Sequence, residues 1–398
     1  MDITITPTLL KGDVTPPSSK SFAHRALLAS FLSKGESILH GITPSEDMEA
    51  TCRCGNSLGA EYKIIDETYY LSNKNNNYNK IFDCGESGST LRFIIPIASV
   101  VCGKGIFTGR GRLLNRPLEP FVKLFKDNNI IFNHTEKEIK LDGKLSGGNY
   151  FISGDISSQF LTGLLFALPL AKNNSTITLT TPLQSKGYID ITLDVLKSYG
   201  INIIVKDNQY IIKANQEYKA QEMTIEKDYS QAAFFYVANA LGNNINILNM
   251  NEKSVQGDKE IINHIHTILN FDNPIINIEQ EPDLMPILTV LASLQKNKTT
   301  KIIGTKRLRI KESDRIKTTT QALINLGANI IIENDDVIIN GKEFLEGGII
   351  DCANDHRIAM SMAIAATKCK NNVTLLGAEC VKKSYVNFWK DYNNLVKG

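Results

Sequence analysis

At 398 residues the chain exceeds what one compact core normally holds, so two domains are expected. Hydrophobic residues make up 42% and charged residues 22%, and 44 basic against 42 acidic side chains leave a net charge of only +2. That balance is ordinary for a globular protein; it excludes a nucleic-acid binder relying on a broad cationic face, but not a local anion site.

Met1 to Leu10 alternates as a strand does and has neither a basic n-region nor an apolar h-region, so no secretory signal is expected. The apolar stretch from Phe160 to Ala171, interrupted by Thr162 and Gly163, is shorter than the ~20 residues that cross a bilayer. Asn73 to Lys80 is almost wholly Asn and Lys and reads as a solvated hairpin loop. Seven cysteines (Cys52, Cys54, Cys84, Cys102, Cys352, Cys369 and Cys380) include no CxxC pair. They read as small buried hydrophobes in a reducing cytoplasm, not as a zinc site or a disulfide framework.

A repeat organises the chain. Six times a short run of small, polar or charged residues leads into an apolar helical stretch, starting at Ser18, Gly85, Asp155, Asp228, Pro282 and Asn354. The steps are 67, 70, 73, 54 and 72 residues. Ser, Asp or Asn before an apolar run is an N-cap signal. Between these helices lie β-branched runs such as Thr176 to Leu179, Ile201 to Val205, Ile245 to Leu248 and Ile330 to Ile332. Amphipathic helices at Ile189 to Tyr199 and Arg315 to Leu326 stop at Gly200 and Gly327. Six units in two sets of three predict two similar α/β domains. Helix starts present unpaired N–H groups and partial positive charge, so a set of them suits anionic ligands.

The residues on these starts carry charge chemistry. Lys20, Ser21 and Arg25 sit at the first, with Ser21 and Arg25 on one face, a pattern suited to phosphate or carboxylate. Cys84 to Arg92 is a glycine and hydroxyl turn opening a helix, followed by Arg110, Arg112 and Arg116. Ser157, Ser158 and Gln159 offer two hydroxyls and an amide, and Ser185 another hydroxyl before Lys186. Leu308 to Arg315 is the densest charged stretch, readable either as a solvated helix face or as a site. Asp283, between Pro282 and Pro286, is either a plain N-cap or a functional carboxylate. Asp355, His356 and Arg357, then Lys382 and Lys383, complete the set.

Taken in order, these segments resemble the 5-enolpyruvylshikimate-3-phosphate synthase family over essentially the whole chain. The resemblance rests on PPSSKSFAHRALL at 16–28, CGESGSTLRF at 84–93, RGRLLNRPLEP at 110–120 and ISSQFLTGLL at 156–165. It continues in SKGYIDIT at 185–192, LRIKESDRI at 308–316 and NDHRIAM at 354–360. It implies an α/β fold of two domains, each of three βαβαββ units in an inverse α/β barrel or β-prism arrangement, with the active site in the cleft between domains. The crossings are expected near Ser18–Ser19 and Glu226–Lys227, so that 19–226 forms one domain and 1–18 joins 227–398 in the other. The implied activity is transfer of the enolpyruvyl group of phosphoenolpyruvate to the 5-hydroxyl of 3-phosphoshikimate by addition and elimination, with no metal or organic cofactor. The expected partners are those two small molecules, with no nucleic acid and no membrane, and the expected state is a cytoplasmic monomer.

The resemblance assigns 3-phosphoshikimate to Lys20, Ser21, Arg25, Ser157, Ser158, Gln159, Ser185, Asp283 and Lys311, and phosphoenolpyruvate to Lys20, Gly88, Arg116, Gln159, Arg315, Arg357 and Lys383. Chemical roles are expected of Asp283 as base, of Lys20, Lys311 or Glu312 as proton donor, and of His356 beside Arg357. Glu86 departs from the family's usual Asn and places a carboxylate beside the glycine turn, while Lys227 to Gln231 departs from a usual Gly-Asp-x-Ser-Ser yet keeps Asp228. Arg307 receives no substrate role. The sister transferase acting on UDP-N-acetylglucosamine typically has Lys-Asn at the first helix start and a Cys before Arg-Pro; here Lys20-Ser21 stands, and Gly109 to Arg116 lacks Cys. A non-catalytic anion-binding protein on the same scaffold would be expected to have lost Asp283, Lys20 or Glu312, and all three are present.

Overall fold

The computed structural model describes residues 1–73 and 78–397, so the middle of the Asn73–Lys80 loop lies outside the described residues. The chain divides into two compact units, Ser18–Glu226 (the N-terminal unit) and Met1–Pro17 with Lys227–Gly398 (the C-terminal unit). Ser18 belongs with the former because its N–H donates to Thr43 Oγ1 at 3.1 Å and its own Oγ accepts the Thr43 N–H at 2.8 Å.

The N-terminal unit carries helices α1 (Lys20–Leu32), α2 (Glu46–Ser57), α3 (Gly88–Val101), α4 (Glu119–Asp127), α5 (Ser158–Ala167) and α6 (Lys186–Ser198). The odd-numbered helices are apolar on nearly every side and are buried accordingly: Phe22 to Phe31 in α1, Thr90 to Val100 in α3, Phe160 to Ala167 in α5. Their partners are amphipathic; α4 buries Phe121, Leu124 and Phe125 while Lys123 and Lys126 are exposed. Helix α6 stops at Gly200, whose φ of +80° only glycine takes readily.

Two of this unit's sheets each follow one βαβαββ run. In the first, Ile81–Asp83 pairs parallel with Lys104–Thr108, which in turn pairs antiparallel with Ile139–Asp142, and Ile131–His134 lies outermost. In the second, Gly148–Ile152 pairs parallel with Ser175–Leu179, followed by Gln209–Ile212 and Ile203–Lys206. The remaining four-stranded sheet has no leading strand of its own before α1. The unit's last strand, Glu222–Thr224, fills that place, parallel to Glu36–His40.

The C-terminal unit holds α7 (Tyr229–Ala240), α8 (Ile261–Asn270), α9 (Met285–Ser293), α10 (Arg315–Asn325), α11 (His356–Ala366) and α12 (Phe388–Lys397). Its one full sheet runs Ile275–Asn277, Thr299–Ile303, Asp336–Asn340, Asn329–Glu333. The chain's first residues are woven into this unit: Ile3–Ile5 pairs antiparallel with Val373–Leu376, and Lys11–Val14 parallel with Asn244–Ile247. The repeat containing α7 and α8 departs from the pattern, because α8 leads directly to Ile275–Asn277 with no hairpin between. That missing hairpin accounts for the 54-residue step from Asp228 to Pro282.

Each unit has its own apolar cluster. Among the described residues no helix is long and apolar enough to cross a membrane, and the cysteines are all free. Helices α3 and α5 meet at Gly163, where a Cβ would lie 2.4 Å from the Arg92 carbonyl oxygen and 2.8 Å from Pro96 Cγ. Pro96 lacks the N–H that would bond that carbonyl, so α5 comes close where α3 has a gap in its ladder. Gly163→Ala is expected to cost about 1–3 kcal/mol through overpacking, read as a lowered denaturant midpoint. An unchanged midpoint would show that the contact yields freely.

Candidate active site

In the N-terminal unit the starts of α1, α3 and α5 bear the predicted residues. Ser19 caps α1, and Lys20, its first residue, ion-pairs with Asp47 of α2 at 2.8 Å. Asp47 escaped the sequence reading because Ser45-Glu46-Asp47 looks like any capped, acidic first turn. One turn along, Arg25 is 3% exposed. Its Nη1 donates to the Ser21 carbonyl (2.7 Å), its Nε to Thr192 Oγ1 (2.8 Å) and its Nη2 to Thr162 Oγ1 (3.4 Å). Its face lies 5.1 Å from the Phe93 ring. All three acceptors are neutral. Burial draws the guanidinium down to about 9, leaving it cationic at neutral pH with no carboxylate among these acceptors. Such a cation favours an anion.

Ser87 caps α3, and Gly88 is its first residue. A Cβ on Gly88 would fall 2.6 Å from Arg116 Nη1, so the guanidinium lies directly against the glycine backbone. Ser157 caps α5, accepting the Gln159 N–H at 3.3 Å, and Ser158 is buried beside it. Gln159 Nε2 donates to Ser89 Oγ at 2.8 Å, tying α5 to α3, while its Oε1 accepts from Arg92 Nη1 at 2.7 Å. Arg92 also donates to the Pro117 carbonyl at 3.1 Å, next to Arg116. Ser185 precedes α6 in the left-handed region (φ +57°), a conformation that propensity alone does not assign to serine. The Glu86 carboxylate lies against Gly111, where a Cβ would be 2.9 Å from its carboxyl carbon.

In the C-terminal unit one carboxylate gathers three cations. Asp283 Oδ1 accepts from Arg315 Nη1 (2.8 Å) and Lys311 Nζ (3.2 Å), and its Oδ2 accepts from Arg357 Nη2 (3.0 Å). It caps no helix, which removes the plain N-cap alternative. Arg315 is held on its other edges by Glu312 (2.7 Å) and by Asp355 (2.9 Å), which also accepts from Ser313 (2.9 Å) and caps α11 through the Arg357 N–H (3.0 Å). The stretch from Leu308 to Arg315 is therefore not a solvated helix face: Lys306–Ile310 is a 3₁₀ turn and α10 starts at Arg315. His356 is buried at the start of α11, and Lys383 Nζ donates to the Asn354 carbonyl at 3.1 Å.

Burial would raise the Asp283 carboxyl, but Arg357, Lys311 and Arg315 outweigh it and hold the group well below the usual carboxylate range. Burial lowers the Lys311 ammonium despite Asp283. Asp355 is likewise depressed, burial being overcome by Arg315. The structure thus joins Asp283, Lys311, Glu312, Arg315 and Arg357 in one network.

Six α/β repeats whose helix starts carry lysines, arginines, hydroxyls and one shared carboxylate define a protein built to hold small polyanionic molecules. The family model of EPSP synthase (3-phosphoshikimate 1-carboxyvinyltransferase) matches residues 5–392. The chain belongs to this family. It is 45% identical to a 3-phosphoshikimate 1-carboxyvinyltransferase of Clostridium perfringens, over 99% of this chain and 98% of the relative. It is 43% identical to that of Clostridium kluyveri, over 99% and 97%. The solved EPSP synthase of Acinetobacter baumannii shares the fold, with a TM-score of 0.81 over 99% of this chain and 98% of that one, at 21% identity.

Because the folded Asp283 and Asp355 groups lie below the unfolded value of about 3.9, their stabilisation is complete above that pH and is lost as pH falls through it toward the folded values. The melting temperature of the C-terminal unit should therefore drop steeply as pH falls below about 4. Asp283→Asn should flatten the drop and cost about 3 kcal/mol at pH 7, the low end for breaking a buried pair. Equal acid slopes in both proteins would refute the assignment.

Proposed function

We propose that this chain transfers the enolpyruvyl group of phosphoenolpyruvate to the 5-hydroxyl of 3-phosphoshikimate, releasing phosphate. The observation that carries the reading is the Asp283 carboxylate shared by Lys311, Arg315 and Arg357. A base for a hydroxyl stands there among the cations two polyanions need.

In this proposal the acceptor's phosphate and ring hydroxyls take Arg25, Ser21, Ser157, Ser158, Gln159 and Ser185, with Lys20, Asp283 and Lys311 at the reacting side. Phosphoenolpyruvate takes Gly88, Arg116, Arg315, Arg357 and Lys383, and shares Lys20 and Gln159 with the acceptor. The 5-hydroxyl oxygen attacks C2 of phosphoenolpyruvate while Asp283 receives its proton, and an acid delivers a proton to C3. Lys311 suits the acid's role because burial already eases its proton away. The tetrahedral adduct then returns a C3 proton to Lys311 as its C–O bond to phosphate breaks, the departing phosphate taking the proton held by Asp283, and the enol ether is left. Glu312 keeps Arg315 oriented from its far edge at 2.7 Å. His356, buried at the start of α11, stands next to Arg357. The protein acts as a cytoplasmic monomer with no nucleic-acid or membrane partner.

Purified protein should release phosphate only when both substrates are present, in a coupled phosphate assay. Release with UDP-N-acetylglucosamine as acceptor would move the protein to the sister reaction, and no release with either acceptor would leave only an anion-binding role. Lys20→Met should lower turnover by about 100-fold or more with an unchanged circular dichroism spectrum. Wild-type rates in that variant would remove Lys20 from the mechanism.

A further inference from the structure

A second polar network runs inside the N-terminal unit, behind the ligand-facing residues. His24 follows Lys20 by one turn of α1 and is 1% exposed. Its Nδ1 meets Thr51 Oγ1 of α2 at 2.7 Å. The Thr51 hydroxyl also lies 3.1 Å from the Asp47 carbonyl and 2.8 Å from Thr90 Oγ1 of α3. Thr90 Oγ1 reaches Ser87 Oγ at 2.8 Å, and Ser87 caps α3 through the Thr90 N–H at 3.2 Å. Thr51 and Thr90 are fully buried and Ser87 is 1% exposed, so water does not compete for these bonds.

The proton on His24 can be placed by elimination. Nε2 is buried with no hydrogen-bond partner among the described residues, and the imidazole stands nearly perpendicular to the Phe93 ring, 6.5 Å between centroids. A buried N–H with no acceptor costs more than a buried lone pair, so the proton sits on Nδ1 and is donated to Thr51. Burial, with Lys20 and Arg25 nearby, holds the imidazole neutral.

The ends of the network matter more than its middle. Asp47, whose carbonyl meets Thr51, holds Lys20 by its carboxylate at 2.8 Å. Ser87 directly precedes Gly88. These contacts therefore link the start of α1, the first turn of α2 and the start of α3. We propose that His24, through the hydroxyls of Thr51 and Thr90, is a positioning residue that sets Lys20 and the α3 start at Gly88 relative to each other for phosphoenolpyruvate. This rests on the functional reading above. Lys20 serves both substrates in that reading, but the α3 start at Gly88 serves phosphoenolpyruvate alone, and Arg25, Ser157 and Ser158, assigned there to the acceptor, make none of these bonds, so phosphoenolpyruvate carries the larger change.

The test is steady-state kinetics on His24→Leu, His24→Asn and Thr51→Val, each checked for folding by circular dichroism. His24→Leu should raise KM for phosphoenolpyruvate about tenfold, the scale of one lost buried hydrogen bond, with KM for 3-phosphoshikimate within about twofold. His24→Asn, which keeps a donor near the Nδ1 position, should return KM to within about threefold of wild type. Should His24→Leu fail to fold, Thr51→Val carries the same expectation. Equal changes in both KM values, no change in either, or failure of Asn to restore would overturn the role. Imidazole ¹⁵N shifts of the wild-type protein should report the Nδ1–H tautomer, and an Nε2–H tautomer would sink the network itself. No wild-type turnover would sink the functional reading and the positioning role with it, leaving the tautomer result standing.

Discussion

Cations brought within a few ångströms of one another repel strongly unless a carboxylate stands among them, and in the C-terminal unit that carboxylate is Asp283. Asp355 and Glu312 complete the balance around Arg315, which is 1% exposed and does not survive burial alone. Three acids against Lys311, Arg315 and Arg357 make this set neutral. The N-terminal unit solves the same problem differently. Lys20 has Asp47, but among the described residues Arg25 bonds hydroxyls and a carbonyl and keeps an unspent charge in a buried place. An anion entering there adds a partner; one approaching Arg315 or Arg357 must compete with carboxylates already present.

The repeat explains how so polar a set of residues coexists with a well-packed interior. Helices α1, α3 and α5 are apolar around their circumference, as are α7, α9 and α11, so each can be buried along its whole length. Only at the first turn do free N–H groups demand partners. Ser19, Ser87, Ser157, Asp228 and Asp355 meet that demand with side-chain caps, and the proposed ligand residues come just after them. Caps and ligand groups are thus adjacent in sequence because both serve the same end of the same helix.

That adjacency is why much of the architecture was legible in one sequence. The Ser-Ser-Lys-Ser, Gly-Glu-Ser-Gly and Asp-His-Arg starts are local signals, and the helices begin at Lys20, Gly88 and His356. Tertiary pairing leaves no such trace. Asp47 looked like an acidic first turn, and nothing in its neighbours says that its carboxylate reaches 27 residues back to Lys20. Asp283 read equally well as a cap until its three cations, drawn from Lys311 onward, fixed its role. The abbreviated α7–α8 repeat was present in the sequence only as a short step of 54, which states that something is missing without saying that it is a hairpin. His24 carried no signal, since one histidine on an apolar helix is ordinary.

The depressed Asp283 carboxyl bears on how the proposed chemistry is timed. A carboxylate gripped by Lys311, Arg315 and Arg357 is a weak base at rest. In the proposed reading phosphoenolpyruvate, with carboxylate and phosphate groups, offers Arg315 and Arg357 more than the single Asp283 oxygen each now holds, and every cation so recruited lets the Asp283 carboxyl rise toward its ordinary range. Basicity then grows as the donor fills its site, when a hydroxyl to deprotonate is useful. Glu312 and Asp355 hold Arg315 from its other edges throughout, so the guanidinium can exchange Asp283 for a ligand without losing its orientation. In this proposal Arg315 and Arg357 recruit the donor, and together with Lys311 they restrain the base until it arrives.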